Sequence, residues 1–118
     1  MISSLSGTVT HVGLHEAVLD VHGVGLLVHA TPATLSRLHR GEPAALQTHL
    51  VVREDSLTLF GFQDDHEREI FTTMLGVSGI GPRIALAVLS VHTPAQVSRA
   101  VAEGDDKAFS KVPGIGAK

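Results

Sequence analysis

The chain has 118 residues, 43% of them hydrophobic, with no cysteine and a formal net charge of −3. That is ample apolar material for a core, while disulfides, thiolate metal sites and cysteine nucleophiles are excluded. No apolar run is long enough to span a membrane, and Met1-Ile2-Ser3-Ser4-Leu5 lacks the basic-then-apolar order of a secretory signal, so the expected location is the cytoplasm.

The first half reads as strands. Leu5–Val12 alternates moderately well, and Ala17–Val21 and Gly25–Ala30 flank His22-Gly23-Val24, a turn with the glycine expected of a hairpin. Thr31-Pro32 supplies a cap residue and a proline at the first helical position, which predicts one short helix to Leu38. Gly41-Glu42-Pro43 breaks it. Ala45–Val52 and Ser56–Phe62 are two further strands, joined through Arg53-Glu54-Asp55. Five strands with a small helix between the third and fourth is the order of an OB-fold barrel.

The period changes near residue 62, which divides the chain into an expected barrel domain over 1–62 and an all-α domain over 63–118. Asp64-Asp65-His66-Glu67-Arg68-Glu69 places acidic residues in a first helical turn, where the helix dipole favours them. Ile70, Phe71, Met74 and Leu75 then form an apolar stripe. A second helix is predicted from Pro82 to Ser90, with Ile84, Ala85, Val88 and Leu89 suited to packing. Thr93-Pro94 opens a third, running to about Glu103, and Asp105–Lys111 fits a short fourth.

A six-residue pattern occurs twice in this half. Val77-Ser78-Gly79-Ile80-Gly81-Pro82 is echoed by Val112-Pro113-Gly114-Ile115-Gly116-Ala117. Each copy is a Gly-Ile-Gly turn where one helical pattern ends and another can begin. Glycine permits positive φ and close approach to the backbone, and the amides of a helix N-terminus suit an anion. One copy alone also fits an ordinary helix C-cap and turn. Two in register point to a paired phosphate-binding device, resembling tandem helix-hairpin-helix motifs that grip the DNA backbone.

The charge count constrains that reading. Residues 1–62 carry three basic and five acidic side chains, and residues 63–118 carry six and seven. Neither half is cationic in composition, so a DNA surface must arise from segregated charge or from backbone amides.

Taken together, the residues resemble the RuvA family, whose members bind Holliday junctions in bacterial branch migration. The resemblance runs through Met1-Ile2 to Gly7, Val21-His22-Gly23-Val24-Gly25, Val51-Val52-Arg53-Glu54-Asp55-Ser56 and Leu59-Phe60-Gly61-Phe62. It continues through Gly79-Ile80-Gly81-Pro82-Arg83, Ala85-Leu86-Ala87 and Val112-Pro113-Gly114-Ile115-Gly116, and covers essentially the whole chain. It implies a structure-specific DNA-binding subunit, not an enzyme, that holds four-way junctions open and square. The backbone contacts it implies are Ser78, Gly79, Ile80, Gly81 and Arg83 in one hairpin, and Gly114, Ile115, Gly116 and Lys118 in the other. Glu54 and Asp55 resemble an acidic pin at the junction centre, with Arg53 beside them either holding a phosphate or tethering the pin. On the residues alone, Arg53–Ser56 reads first as a solvated polar turn, and it is the resemblance that favours the pin.

The implied assembly is a homotetramer, with the octamer of two tetramers left open. The implied partners of the full-length complex are the RuvB ATPase and the RuvC resolvase, with no cofactor, metal or membrane. Three departures stand out. A RuvB-docking domain is expected to be missing, Ala117 stands where a basic residue is common in the family, and Leu26 stands where an aromatic is frequent. The chain stops at Lys118 with no room for the helix that should follow the second hairpin, and is expected to be a truncated form.

Other readings are weaker. The eight histidines are dispersed without ligand spacing, and no Walker A sequence is present. Phe60 and Phe62 are two apart in a strand, which places them on one face and favours packing over base stacking. Two rivals remain: a single-strand-binding barrel with a helical appendage, which should expose aromatics, and a hairpin-containing glycosylase, which needs a Lys or Asp beyond the second hairpin.

Overall fold

The computed structural model describes residues 2–91. Eight elements follow in order: β1 (Ser4–Val12), β2 (Glu16–Val21), β3 (Val24–His29), α1 (Pro32–Leu35), β4 (Pro43–Arg53), β5 (Ser56–Phe62), α2 (Asp65–Leu75) and α3 (Pro82–Val91). The strands close into a barrel in the order β1-β2-β3-β5-β4. Every pairing is antiparallel except β3 with β5, where Val28 faces Leu59 and His29 faces Phe60. This is the five-stranded OB-fold barrel that the strand order predicts, and closure leaves no free edge.

The barrel interior is filled by Leu5, Val9, Ala17, Leu19, Val28, Leu46 and Leu59, with Ala30, Leu35 and Leu38 contributed from around α1. Phe60 and Phe62 are buried but do not belong to this cluster. Leu59 points inward, so period-two alternation puts the two phenylalanines together on the opposite face of β5.

Local chemistry explains the connections. The β2–β3 turn has two residues, His22 at φ 51° and Gly23 at φ 93°, while Val24 already pairs with Val21. Positive φ at both positions is the geometry that matches strand twist in a tight hairpin. The Gly23 amide also donates to Asp20 Oδ1 at 2.7 Å. α1 starts as expected, with Thr31 capping it and Pro32 in its first turn, but it ends at Leu35. Only isolated i→i−3 bonds, Arg37 to Thr34 and Leu38 to Leu35, continue toward Leu38. Gly41 and Glu42 then bond to Val9, so β4 opens at Pro43, a strand position where a missing N–H is tolerated.

Two compact units emerge, Met1–Arg68 and a second from Glu69 onward. The division falls inside α2, a little beyond the change of sequence period. The first turn of α2 thus belongs with the barrel. In the second unit, Phe71 and Met74 of α2 and Ala85, Val88 and Leu89 of α3 are buried, while Ile70, Leu75 and Ile84 of the expected stripes are half-buried. The expected third and fourth helices lie outside the described residues.

Candidate nucleic-acid interface

The first Gly-Ile-Gly turn is built by the end of one helix and the start of another. Gly76 and Val77 donate to the carbonyls of Thr73 and Met74 at 3.1 and 3.0 Å, closing α2 with i→i−3 bonds. Ile80 then donates to the Val77 carbonyl at 3.1 Å, with Gly79 at φ 86°. A four-residue turn with positive φ at its third position is a type II turn, which asks for glycine there. Ala85 donates to the Gly81 carbonyl at 2.9 Å, the first intrahelical bond of α3. Amides ahead of Ala85 have no carbonyl four residues back within the helix, and Pro82 has no N–H to offer.

Ser78, Gly79 and Arg83 are exposed, and Ile80 and Gly81 are half-buried. A side chain added at Gly81 would meet nothing within 4 Å. The turn therefore presents open backbone beside the N-terminus of α3, where an anion is favoured by the helix dipole, with the Arg83 guanidinium one residue inside.

The other predicted feature sits on the barrel. Arg53 pairs with Ser56 across β4 and β5, which leaves Glu54 and Asp55 as a two-residue hairpin tip. Neither adopts positive φ, so the tip is not one of the primed turns that best follow strand twist. Arg53, Glu54 and Asp55 are all exposed. Among the described residues the ion pairs are His11–Glu16 and Arg68–Asp65, so Arg53 is not bonded to either acid. Directly below the tip, the cross-strand partners Val52 and Leu57 are 60% and 71% exposed.

The structure thus brings Glu54, Asp55 and Arg53 together in the barrel unit, and Ser78, Gly79, Ile80, Gly81 and Arg83 together in the helical unit. Gly114, Ile115, Gly116 and Lys118 lie outside the described residues. Among those described, no group of three His, Asp or Glu side chains is arranged to hold a metal, and no helix is long and apolar enough to cross a membrane.

Sequence reasoning passed over one cluster at the start of α2. Asp64 Oδ1 accepts from the Glu67 amide at 2.9 Å, and Glu67 is only 7% exposed. Its Oε1 accepts from Thr34 Oγ1 at 3.3 Å. Burial pushes the Glu67 carboxyl above its ordinary range, opposed by the Thr34 hydrogen bond. The Asp-x-x-Glu spacing was a readable capping signature, but its connection to Thr34 is tertiary and has no sequence signal.

A closed OB barrel leading straight into a glycine turn between two helices defines a modular architecture of barrel plus helix-hairpin-helix. Comparison with known sequences agrees on both parts: residues 1–61 match the RuvA N terminal domain, and residues 71–118 match a SAM-like helix-hairpin-helix tandem. The chain belongs to the RuvA family. Over all 118 residues it is 62% identical to the Holliday junction branch migration complex subunit RuvA of Pseudarthrobacter chlorophenolicus, covering 55% of that protein. The corresponding subunits of Thermobifida fusca and Streptomyces coelicolor are 58% and 56% identical over the same span, with 58% and 59% of their lengths covered. The chain spans about half the length of the curated relatives it matches.

Proposed function

We propose that this chain binds four-way DNA junctions and holds them open and square for branch migration in recombination and repair, with a separate ATPase supplying the motion. The relatives are named as subunits of a branch migration complex, and RuvB and RuvC are the partners proposed for the full-length protein. One observation carries the reading. The stretch matching the RuvA N terminal domain is a barrel whose β4–β5 tip is acidic and exposed, and an ordinary nucleic-acid barrel gains nothing from such a tip.

In the proposed mechanism, the amides around Ser78, Gly79, Ile80 and Gly81, and their counterparts at Gly114, Ile115 and Gly116, receive phosphates of a duplex arm. Arg83 and Lys118 add charge. Such contacts position DNA without reading sequence, as a sliding machine requires. Glu54 and Asp55 repel phosphates near the crossover and keep the arms apart, and Arg53, unbonded to the pin acids, is left to contact a phosphate. Four copies assemble around the junction, as a tetramer or a pair of tetramers. The exposed barrel side chains Leu27, Val52 and Leu57 supply apolar surface for such an assembly. The chain acts without chemistry of its own, in the bacterial cytoplasm.

A competition gel shift tests the reading. A labelled four-way junction is challenged with excess linear duplex and with single strands of equal nucleotide content. Resistance to both is expected. Preferential competition by single strands would make the barrel a single-strand module, and equal competition by duplex would leave only the hairpins at work. Replacing Glu54 with Gln and Asp55 with Asn together should preserve or strengthen junction binding while altering arm geometry, read by fluorescence transfer between labelled arms. Loss of binding would remove the repulsive role.

A further inference from the structure

Charge in the barrel unit is unevenly placed along the chain. Residues 21–41 contain no Asp or Glu, and Arg37 and Arg40 fall at the end of that run with His39 between them. The other two arginines of the unit have carboxylates at hand: Arg68 pairs with Asp65 at 3.0 Å, and Arg53 precedes Glu54 and Asp55 in the chain. Arg37 and Arg40 are exposed, and among the described residues neither joins an ion pair or a side-chain hydrogen bond. Glu42, two residues beyond Arg40, is exposed and pairs with neither. Two unpaired guanidinium groups in an acid-free run are the segregated charge that a chain of net charge −3 needs to meet phosphates.

The segment that carries them is held in place by the barrel. Leu35 and Leu38 belong to the barrel core and anchor it from beneath. Glu42 donates to the His39 carbonyl at 3.0 Å across Arg40 and Gly41, with Gly41 at φ 89°. Positive φ at the third position makes this a type II turn. The Gly41 amide donates to the Val9 carbonyl at 2.7 Å, and the Val9 amide donates to the Glu42 carbonyl at 2.9 Å, so the turn is fastened to β1. By contrast, the amides of His39 and Arg40 donate to no acceptor among the described residues. Two consecutive backbone donors therefore stand open between the two arginines.

The same local geometry follows α2. There too a helix ends in two i→i−3 bonds and passes into a type II turn, with Gly79 at φ 86° and open space around the glycine, as around Gly41. The barrel turn carries arginine at its second position, where the other has Ser78. We propose that the turn at residues 39–42, together with Arg37, is a further DNA-backbone contact, made by the barrel unit alone. The open amides of His39 and Arg40 and the guanidinium groups of Arg37 and Arg40 receive phosphate oxygens. A guanidinium offers paired N–H donors that match phosphate, and its charge shortens and strengthens those bonds. That the phosphates are those of DNA rests on the function proposed above. Such a contact positions the duplex without reading its sequence.

Titration of a labelled four-way junction and of a linear duplex at several salt concentrations tests the contact. Replacing Arg37 and Arg40 together by Gln is expected to make the slope of log affinity against log salt shallower by about two, at about 0.9 for each phosphate neutralised. Replacing both by Lys should keep the slope, because the charge remains. Circular dichroism is expected to match the parent in both variants, since the replaced side chains are exposed. An unchanged slope in the glutamine variant overturns the proposal.

A second measurement leaves both arginines in place. The absence of native cysteine allows a single iron chelate to be attached at Ser36→Cys, an exposed position beside Arg37. Hydroxyl radicals generated there are expected to cut the bound DNA within a short stretch of backbone, and cutting no greater than that by free chelate overturns the contact. A chain that prefers junctions but shows neither the slope change nor local cutting loses the barrel contact and keeps the function proposed above. A chain that binds linear duplex as well as junctions, with the slope change and the cutting, keeps the contact and loses that function. A chain that binds neither probe loses both.

Discussion

Gly79 and Gly81 look alike in the sequence, yet the structure asks different things of them. Gly79 needs positive φ, and an added side chain would be strained there although it has open space around it. Gly81 has neither a positive φ nor a crowding neighbour. Gly79→Ala is therefore expected to cost about 1 kcal/mol by forcing a left-handed conformation, lowering the melting temperature of the helical unit. Gly81→Ala should leave thermal unfolding nearly unchanged but weaken duplex binding, because a methyl group would stand on the face that a phosphate approaches. Thermal unfolding and gel shifts on both variants separate the two effects. If Gly81→Ala binds duplex as well as the parent, the phosphate does not approach from that side.

The first turn of α2 carries the clearest pH signature. Burial raises the Glu67 carboxyl, so the folded state keeps its proton at a pH where the unfolded chain has lost it. Between the ordinary glutamate value and the raised one, stability falls as pH rises, and the penalty is complete above that window. Glu67→Gln removes the ionisation while keeping the oxygen that accepts from Thr34. It is expected to abolish this slope and to equal or exceed parent stability at neutral pH, since a neutral isostere sheds the desolvation cost. His49 works in the opposite sense: burial foremost, with positive charge nearby including Arg68, lowers it. Stability from that group falls as pH drops below the ordinary histidine value. Both proteins carry His49, so its contribution cancels in the difference between their melting temperatures across pH. A difference that does not vary with pH would place the Glu67 carboxyl in solvent.

For the protein as a whole, net charge of −3 means that the proposed DNA binding would rest on local attraction. A generally cationic binder shows a steep decline of affinity with salt, whereas a few phosphate contacts give a shallow one. Arg83→Ala is expected to weaken junction binding evenly across sequences and to make the slope of log affinity against log salt shallower by about one for each phosphate that Arg83 neutralises. Titrations at several ionic strengths check this, and an unchanged slope would move Arg83 off the phosphate backbone.

Most of the barrel could be read from residues alone, because strand alternation and turn chemistry act over short spans. Leu19, Val28 and Leu59 had to face inward once their strands existed, and Phe60 and Phe62 had to share a face by period two. The repeated glycine pattern likewise exposed the first backbone turn, since few residues other than glycine serve at Gly79. The acidic tip was visible only as three polar residues in a row, and its relation to a known family was what set it apart from an ordinary loop. Other features had no local cause. α1 stopped at Leu35 although its apolar spacing ran on to Leu38, because the following segment is drawn onto β1 through Gly41 and Glu42. The parallel pairing of β3 with β5 closes the barrel through strands far apart in the chain. Thr34 meets Glu67 across 33 residues, and Arg68 meets Ser3 across 65. Short-range periodicity determines which way a side chain faces. Which distant group it then meets depends on how the closed barrel brings remote segments side by side, and no local pattern encodes that.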